Sequence, residues 1–504
     1  MANEQELTAG HLSGQSATSR VQWHFSWPLI AAIYAYVFFL SRGQDLLLDG
    51  DTYSHIAVGR WILENGVVPT QDHFSHTLRG TDWTAFEWLS QVILALAHQW
   101  GQWTGLVALT ALAFAVTIAL MTRFLLRSLE PIYVLLFVGA AISMTAAHVL
   151  ARPHMLAMPI LMAWTIELVR ASEERRTPGL WMLPLMTLWA NLHGGFTLGI
   201  AFTAAFTLEA ALGTWRQADF ARTVRAWAIF LVSTVAFSLL TPHGPRALWV
   251  TWQTLVQDTY VLSHIGEWLS PNFHVFQPLE LWLVGGLAVI LHQGLRFPPV
   301  RLLLLLGLIH LSLKHMRYVE LLGQLAPVIL ASPLAAQWRQ RRQGSAQMAT
   351  ADRFFEKLSR PAGTVAIAVG IAFFLAIPWL IAQTRPFAPP ESIAPVAAIR
   401  AAEDAGLAGP VLNAYHWGGY LIFLGIPPFI DGRSDLYRDA FIEDYLMSLD
   451  LRKTDGIEKL IENRKVSWTL LPPDTPAVAR LDRMPGWHRV YADKTAVVHA
   501  KDVR

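Results

Sequence analysis

The sequence has no cysteine and few charged residues. Without cysteine, disulfides, thiolate metal sites and a cysteine nucleophile are excluded. Only 15% of the 504 residues are charged, whereas soluble domains contain about 25%. The net charge of +2 is too small to indicate nucleic acid as a partner. No internal repeat or low-complexity tract is present, which argues against an inverted-repeat transporter.

Hydrophobic residues make up 53% of the chain, and the 21 tryptophans suit aromatic belts at membrane interfaces. Crossing the hydrocarbon core takes about 17–25 apolar residues. Runs of this kind predict about eleven transmembrane helices, beginning near Trp27, Thr104, Pro131, Met155, Leu180, Gly195, Ala226, Pro278, Pro299, Tyr318 and Ala362. Two amphipathic stretches, 53–63 and 87–100, are too short or too polar to span and predict interfacial helices.

Basic residues predict the orientation, because they accumulate in cytoplasmic loops. With the N-terminus inside, the cytoplasmic connections contain Arg123, Arg127, Arg170, Arg175, Arg176, Arg216, Arg222, Arg225, Arg296, Arg301, Arg339, Arg341, Arg342, Arg353, Lys357 and Arg360. The opposite loops contain only Arg42, Arg60, Arg79, Arg152, Arg246, Lys314 and Arg317. An odd number of spans then places the C-terminal region outside.

The chain divides by composition. Residues 1–26 begin with a polar stretch that lacks a signal-peptide pattern and predict a cytoplasmic tail. Residues 27–385 form the transmembrane part, with a first outer loop at 45–103. Residues 386–504 are less apolar and contain strand-like runs at 469–471 and 496–499, which predict a small C-terminal α/β domain outside the membrane. The predicted fold class is an all-α polytopic membrane protein with this added domain.

Most polar clusters fall at the outer ends of the predicted spans. Ionisable groups at membrane depth are costly and usually face a cavity or one another. Their accumulation on one side therefore predicts a single polar cavity open to that side. The clusters are Asp49 to His55, His73 to Glu87, Arg152 to His154, Asn191 with His193, Pro242 to Gly244, and Lys314 to Tyr318.

Asp49 and Asp51 directly follow the first span. Paired carboxylates can hold a divalent cation through oxygen, or one of them can act as a general base. The plain alternative is that Asp51 caps the helix that follows, and both roles can coexist. Among the histidines, no pair has the i, i+4 spacing of zinc ligands, so zinc is not predicted.

Arg152 and His154 flank Pro153, which forces a break between helices. An arginine here suits a phosphate group, because its planar fork donates two parallel hydrogen bonds. The alternative is snorkelling of Arg152 to the headgroups. Arg317, close to Lys314 in the chain, has the same two interpretations. His193, beside the glycine pair Gly194 and Gly195, is alternatively a packing residue.

In the outer domain, residues 413–420 and 429–437 mix aromatic side chains with Asp, Arg and Gly. Such a mixture can form a sugar-stacking surface. It equally describes a turn-rich core with a buried Asp–Arg pair, which is the interpretation favoured here.

The order of these elements resembles the C-type (GT-C) integral-membrane glycosyltransferases. The resemblance rests on an acidic pair after the first span, two interfacial helices, and a span ending in basic residues. Ala151-Arg152-Pro153-His154 is similar to the break in bacterial members related to protein mannosyltransferases. The chain also resembles a group of bacterial GT-C-like proteins. The similar segments are Asp51 to His55, Phe86 to Leu89, Asn191 to Gly195 and Asp431 to Tyr437.

The resemblance implies transfer of a sugar from a polyprenyl-phosphate donor to a glycan, lipid or protein acceptor outside a bacterial inner membrane, in envelope glycan or glycoconjugate assembly. It implies Asp51, then Asp49, as catalytic residues. The residues expected to contact substrate or lipid phosphate are Arg152, His154, Arg317, Lys314, His55, Glu87 and His193. Asp-Gly-Asp-Thr at 49–52 and His154 depart from the family's acidic pattern. The donor and any divalent cation, for which Asp49 and Asp51 are the candidates, stay open.

Two other functions remain as alternatives. A transporter or flippase of a lipid-linked substrate requires polar residues along the middle of several helices, whereas this sequence has them mostly at the outer ends. A non-catalytic protein of polysaccharide assembly is compatible with the same sequence.

Overall fold

The computed structural model describes residues 24–146, 148–256, 259–264, 266–342 and 357–502. Most of the predicted tail, residues 1–26, lies outside the described residues. The described chain is mostly helical and contains a small β-sheet near its C-terminus.

Fourteen α-helices precede residue 386 in the described residues. They are α1 (Trp27–Ser41), α2 (Asp51–Asn65), α3 (Trp88–Leu125), α4 (Pro131–Thr145), α5 (Pro153–Glu173), α6 (Met182–Leu192), α7 (Phe196–Thr214), α8 (Phe220–Ser238), α9 (Pro245–Val256), α10 (Thr259–His264), α11 (Pro278–Gln293), α12 (Pro299–Lys314), α13 (Val319–Arg342) and α14 (Thr364–Thr384). Proline occupies the first turn of α1, α4, α5, α11 and α12, where its missing N–H costs no hydrogen bond.

The described residues form a multi-pass membrane protein. Six segments are long and apolar enough to cross a bilayer: α3, α5, α7, α8, α14 and Met316–Gln340, which contains most of α13. The shorter apolar helices are α1, α4, α6 and α11. A helix occurs at each position where a span was predicted. How many of these helices cross the bilayer, and in which direction, stays a prediction.

Helix α3 joins two segments that were predicted separately, the interfacial stretch 87–100 and the span that begins near Thr104. Gln102 has φ 50° and ψ −148°, which interrupts the helical geometry between them. A side chain at Gly105 would collide with the carbonyl oxygen of Ala97. The two parts therefore meet at a sharp kink, and glycine at 105 permits their close approach.

The C-terminal part contains five further helices and four strands. The helices are α15 (Val396–Asp404), α16 (Gly418–Phe423), α17 (Ser434–Leu449), α18 (Gly456–Asn463) and α19 (Pro476–Leu481). The strands are β1 (Val411–Asn413), β2 (Trp468–Leu471), β3 (Trp487–Ala492) and β4 (Val497–Lys501), in the spatial order β1-β2-β4-β3. Strand β2 pairs in parallel with β1 and antiparallel with β4. The strands predicted near 469–471 and 496–499 are present.

The first outer loop and the C-terminal part share one hydrophobic core. Ile62 on α2 and Trp83 in the loop lie in the same buried cluster as Leu412, Phe429 and Tyr445. Burial of apolar area on both sides favours this docking. The division at residue 386 stays a prediction, but the first outer loop and the C-terminal part, which are far apart in the chain, pack as neighbours.

Candidate functional site

The loop that carries Asp49 and Asp51 is held against the start of α5. The Ala151 amide donates to the Leu46 carbonyl at 2.8 Å, and the Thr52 hydroxyl donates to the Ala151 carbonyl at 3.2 Å. Arg152 has extended backbone (φ −124°, ψ 163°) and immediately precedes the proline that starts α5. These contacts bring Asp51, near the start of the first outer loop, and Arg152 together although they are 101 residues apart.

Arg152 lies between the two aspartates. Its Nη2 donates to Asp49 Oδ1 at 2.8 Å and to Asp51 Oδ2 at 2.7 Å, and its Nε donates to the second oxygen of Asp49. The Asp51 amide donates to Asp49 Oδ1 at 3.0 Å, which turns both carboxylates to the same side. The N-cap of α2 is Gly50, which has no side chain to form a cap. Arg152 thus points at carboxylates rather than away to headgroups, and Asp51 forms an ion pair.

The exposure of this group leaves it accessible. The Asp51 side chain is 23% exposed, Arg152 17% and Asp49 8%. Asp49 is therefore the buried anchor of the arginine, and Asp51 is the carboxylate that an incoming molecule can reach.

Glycines of the C-terminal part lie in close contact with the aspartate loop, the segment that contains Asp49 and Asp51. A side chain at Gly432 would overlap the Asp51 carboxylate, and one at Gly419 would overlap the carbonyl oxygen of Gly50. Gly50 in turn leaves no room for a Cβ beside the carbonyl oxygen of His416. Only glycine permits such close backbone contact. The predicted outer domain therefore forms one wall around Asp51, which the sequence did not reveal.

Histidines and glutamates form the next layer of the site. His154 Nε2 lies 4.0 Å from Glu320 Oε1, and His193 Nε2 lies 3.5 Å from Glu87 Oε1. The rings of His154 and His193 are 6.1 Å apart. The Gly195 amide donates to His193 Nδ1 at 3.0 Å, so the proton of a neutral His193 is on Nε2, which faces Glu87.

His55 lies one helical turn after Asp51 on α2, and the Gln91 amide group contacts its Nδ1 at 3.4 Å. Burial lowers the pKa of His55 to about 4, so its ring is neutral at pH 7. His154 experiences the electrostatic effect of Arg152, Arg317, His193 and His55. The structure therefore brings residues from α2, α5, the α6–α7 connection and the turn before α13 into one polar region.

The two basic residues of the second cluster, Arg317 and Lys314, differ in location: Arg317 lies in the site, and Lys314 lies at the surface. Arg317 lies over the Trp268 ring, 4.3 Å from its centroid, and its charge reaches His154. Lys314 is exposed at the end of α12. His315 Nδ1 contacts the Trp268 carbonyl at 2.5 Å and fixes this turn. Arg317 is placed beside the histidine layer, whereas Lys314 lies at its rim.

Glu320 is a member of the site that the sequence analysis missed. It is 5% exposed and contacts His154. The sequence contains a signal for Glu320, because it is a carboxylate in the first turn of a predicted span. An ionisable group at such a position indicates function or pairing.

A second Asp–Arg–Asp group lies in the core shared by the outer loop and the C-terminal part. Arg433 donates to both oxygens of Asp431 at 2.7 Å and to Asp72 Oδ1 at 2.7 Å. Tyr437 donates to Asp431 at 2.8 Å, and Ser75 to Asp72 at 2.5 Å. Asp431 and Asp72 are fully buried, with exposures of 0%. This is the buried Asp–Arg pair expected for residues 429–437.

The pKa values in this buried group follow from its pairing. Burial alone would raise the pKa of Asp72, but the charge of Arg433 and the hydrogen bond from Ser75 lower it below its usual value. The pKa of Arg433 is raised by its two carboxylates despite its burial. Both ions are therefore charged in the folded protein, and each is essential to the burial of the other.

The donor set does not fit a divalent cation. Within the described residues no group of three or more His, Asp or Glu side chains has a metal-holding arrangement. Asp49 and Asp51, the predicted candidates, converge on the Arg152 guanidinium, which supplies the compensating positive charge.

The fold of this chain is similar to that of two solved structures of an archaeal oligosaccharyltransferase. The chain is similar to the archaeal oligosaccharyltransferase AglB from Archaeoglobus fulgidus in complex with an inhibitory peptide and a dolichol-phosphate, with a TM-score of 0.55 and 10% identity over 88% of this chain and 69% of that one. A second structure of the Archaeoglobus fulgidus enzyme, in complex with Zn and sulfate, aligns over 94% of this chain and 73% of the other (TM-score 0.52, 12% identity).

ArnT from Cupriavidus metallidurans, bound to undecaprenyl phosphate, aligns with a TM-score of 0.47 and 16% identity over 94% of this chain and 98% of that one. No protein-family model matches the sequence. No curated protein matches it either. The likeness to the two Archaeoglobus fulgidus structures confirms the predicted GT-C resemblance for the fold alone.

Proposed function

We propose that this protein is a membrane glycosyltransferase that moves a sugar from a polyprenyl-phosphate donor to an acceptor on the extracytoplasmic side. The observation that carries the proposal is the partly exposed Asp51 carboxylate, held by Arg152 beside a layer of histidines at the outer ends of the helices. The GT-C fold supports it, since AglB is an oligosaccharyltransferase whose structure contains a dolichol-phosphate.

In this proposal Asp51 is the general base. The acceptor hydroxyl oxygen attacks the anomeric carbon as the bond from that carbon to the lipid phosphate oxygen breaks. Asp51 accepts the hydroxyl proton, and the lipid phosphate leaves with the bonding electrons. A positioned base contributes about 10²–10⁴-fold to such a reaction. Attack from the face opposite the phosphate inverts the anomeric centre.

Arg152 orients the aspartates, because its guanidinium already donates to both of them. Arg317 is then the better placed cation for the leaving phosphate. Its charge reaches the histidine layer, and stabilising developing negative charge is often the largest catalytic contribution. Lys314, at the rim, attracts the lipid phosphate from the interface. Contact of Arg152 and His154 with the donor also remains part of the proposal.

The two carboxylate–histidine pairs have a supporting role. Glu87 faces the Nε2 proton of His193, and Glu320 lies beside His154. A carboxylate that faces a ring nitrogen fixes the orientation of the imidazole. We assign His193, His154 and the neutral His55 to hydrogen bonding with sugar hydroxyls, which need donors and acceptors without net charge.

The membrane arrangement belongs to the same proposal. The chain lies in a bacterial inner membrane with its N-terminus cytoplasmic, and residues 386–504 form an extracytoplasmic domain that closes over the first outer loop. The product is an envelope glycan or glycoconjugate.

The decisive experiment identifies lipid-linked sugars in the host. Deletion of the gene should cause one polyprenyl-phosphate-linked sugar to accumulate, as measured by mass spectrometry of lipid extracts. Complementation with the full chain should remove it. The variant Asp51→Asn should fail to do so, whereas Asp45→Asn should succeed, because Asp45 is a half-exposed carboxylate of the same loop that pairs with Arg42. An unchanged lipid pool in the deletion strain would overturn the proposal.

Reconstitution separates transfer from transport. Purified protein in liposomes containing that accumulated lipid should form a covalently glycosylated product. Movement of the lipid between leaflets without a product would assign the site to a flippase instead. Binding of the lipid with neither outcome would assign it to a non-catalytic assembly protein.

A further inference from the structure

A polar cavity whose lining does not include Asp51 lies beside the first outer loop. It has a volume of about 300 Å³ and is bounded by three segments: the outer loop at residues 82–84, helix α9 and the start of α17. A volume of this size is at the small end of ligand pockets and accommodates a monosaccharide or disaccharide.

The lining combines an open aromatic ring with planar polar groups. The side chain of Trp249 is 56% exposed and lines the cavity. Around it lie the carboxylates of Asp82 and Asp435, the guanidinium of Arg246 and the amide of Gln253. A sugar ring has an apolar face of C–H groups and an edge of hydroxyls, so it is recognised by an aromatic surface next to donors and acceptors.

The polar groups of the lining are held in place by hydrogen bonds to one another and to Trp83, which also lines the cavity. Trp83 Nε1 donates to Asp435 Oδ2 at 3.1 Å. Trp83 is itself 4% exposed and lies under the Arg433 guanidinium, 4.6 Å from its ring centroid. Arg246 Nη2 donates to Asp82 at 3.2 Å. The base of the cavity is therefore anchored to the buried ionic group, and its rim carries an ion pair.

The charges of the lining indicate a neutral ligand. Asp82 is paired with Arg246. Burial raises the pKa of Asp435 to about 6, and the charge of the nearby Arg433 opposes this rise. Arg438 adds a further cation at the edge. Because each carboxylate has a nearby guanidinium, the cavity has no strong excess of either sign to select a phosphate or an amine.

The position of Trp249 distinguishes it from a tryptophan of an interfacial aromatic belt. Trp252 lies on the same helix and is also 56% exposed, yet it does not line the cavity. The two residues therefore form a matched pair: both are open to the surroundings, and only Trp249 faces the charged lining.

We propose that this cavity binds a neutral saccharide, the sugar part of the acceptor. The assignment to an acceptor rests on the function proposed above, whereas saccharide binding stands on the cavity alone.

The test measures binding without any donor. The full-length protein in nanodiscs is mixed with methyl glucoside, methyl galactoside, methyl mannoside and methyl N-acetylglucosaminide, and saturation-transfer NMR detects contact. At least one glycoside should give a signal. Trp249→Ala should weaken its binding about three- to tenfold, the loss expected for one stacking contact. Trp252→Ala should leave it unchanged.

A second variant fills the space without removing a polar group. Val250→Trp, at the cavity wall, should abolish the signal while the protein stays folded. No signal from any glycoside with the wild-type protein would overturn the proposal. Equal losses in Trp249→Ala and Trp252→Ala would also overturn it, since both would then be interfacial residues.

The two proposals fail separately. Asp51→Asn should bind the glycoside as the wild type does, because Asp51 does not line this cavity. Saccharide binding in a protein that never transfers sugar would remove the enzymatic function and keep the site. Transfer by a protein that binds no glycoside here would remove the site and keep the function.

Discussion

Two arginines of this protein are each held between two aspartates, and the difference between the groups lies in their surroundings. Arg152, with Asp49 and Asp51, is 17% exposed and belongs to a polar region at the helix ends. Arg433, with Asp72 and Asp431, is 7% exposed, and its aspartates are fully buried. The same residue types thus provide a reachable carboxylate in one place and an internal support in the other.

The physical reason is hydration. A buried ion pair has lost its water, so removal of either partner leaves an uncompensated charge. A partly exposed pair keeps some solvent, and its carboxylate can exchange partners with an incoming molecule. The comparison therefore predicts that the first group controls activity and the second controls stability.

The largest expected effect is on transfer in Asp51→Asn. Loss of the proposed base should reduce turnover about 10²–10⁴-fold. The melting temperature should stay close to that of the wild type, because Asp49 still holds Arg152 through both of its oxygens. Turnover is measured in liposomes, and thermal unfolding is measured in detergent. Wild-type turnover in this variant would remove Asp51 from the mechanism.

The second effect is on folding in Arg433→Leu. Breaking the buried group should cost about 3–5 kcal/mol of unfolding free energy. The matched control is Arg489→Leu, since Arg489 pairs with Asp482 at 2.5 Å but is 44% exposed. Removal of that surface pair should cost less than about 1 kcal/mol. The measurement is thermal unfolding of both variants. Equal shifts in melting temperature would contradict the assigned difference between the buried and the exposed ion pair.

A smaller effect connects the two groups through Gly432, which lies between Asp431 and Arg433 and touches Asp51. In Gly432→Ala the new methyl group would overlap the Asp51 carboxylate and displace it. We expect about a tenfold loss of kcat, since small displacements of a catalytic group are costly, with little change in KM for the donor.

The control for this variant is Gly213→Ala, where a Cβ meets no atom within 4 Å. It should retain wild-type kcat. Unchanged kcat in Gly432→Ala would show that the wall around Asp51 is not needed to position it.

The smallest effect is a pH dependence from His55. Its folded pKa of about 4 lies below the ordinary value of 6.5, so the unfolded chain takes up a proton first as the pH falls. Its contribution to stability is fully present above pH 6.5 and decreases between pH 6.5 and about pH 4. In His55→Gln the melting temperature should fall less steeply across this range. Identical acid profiles of variant and wild type would contradict a neutral, buried His55.

Much of the fold was predictable, because long apolar runs and proline breaks act locally. The helices that begin at Pro131, Pro278 and Pro299 start at the expected residues. The convergence of Asp51, Arg152 and His154 was also predictable, because the predicted topology places all three at helix ends on the same side of the membrane. Their partners were not: the pairing of Arg152 with both aspartates depends on the Ala151–Leu46 contact, which no local pattern encodes.

Glu320 and the glycine contacts show two further reasons why the site could not be predicted completely from the sequence. Glu320 had a readable signal but no identifiable partner until His154 was placed beside it. Gly419 and Gly432 resemble ordinary turn glycines in the sequence, because a glycine's neighbours across the fold are invisible along the chain. Their restriction is steric and arises only when the C-terminal part packs on the aspartate loop.

By itself, the sequence determined that this chain enters a membrane, and it predicted that the unusual polar clusters gather at one end of the helices. These properties follow from the cost of leaving polar groups in hydrocarbon, which acts on each segment separately. Only the tertiary structure decided which Asp–Arg–Asp group is reachable and which is enclosed. Exposure depends on what packs above a side chain, and here the covering residues come from segments hundreds of positions away.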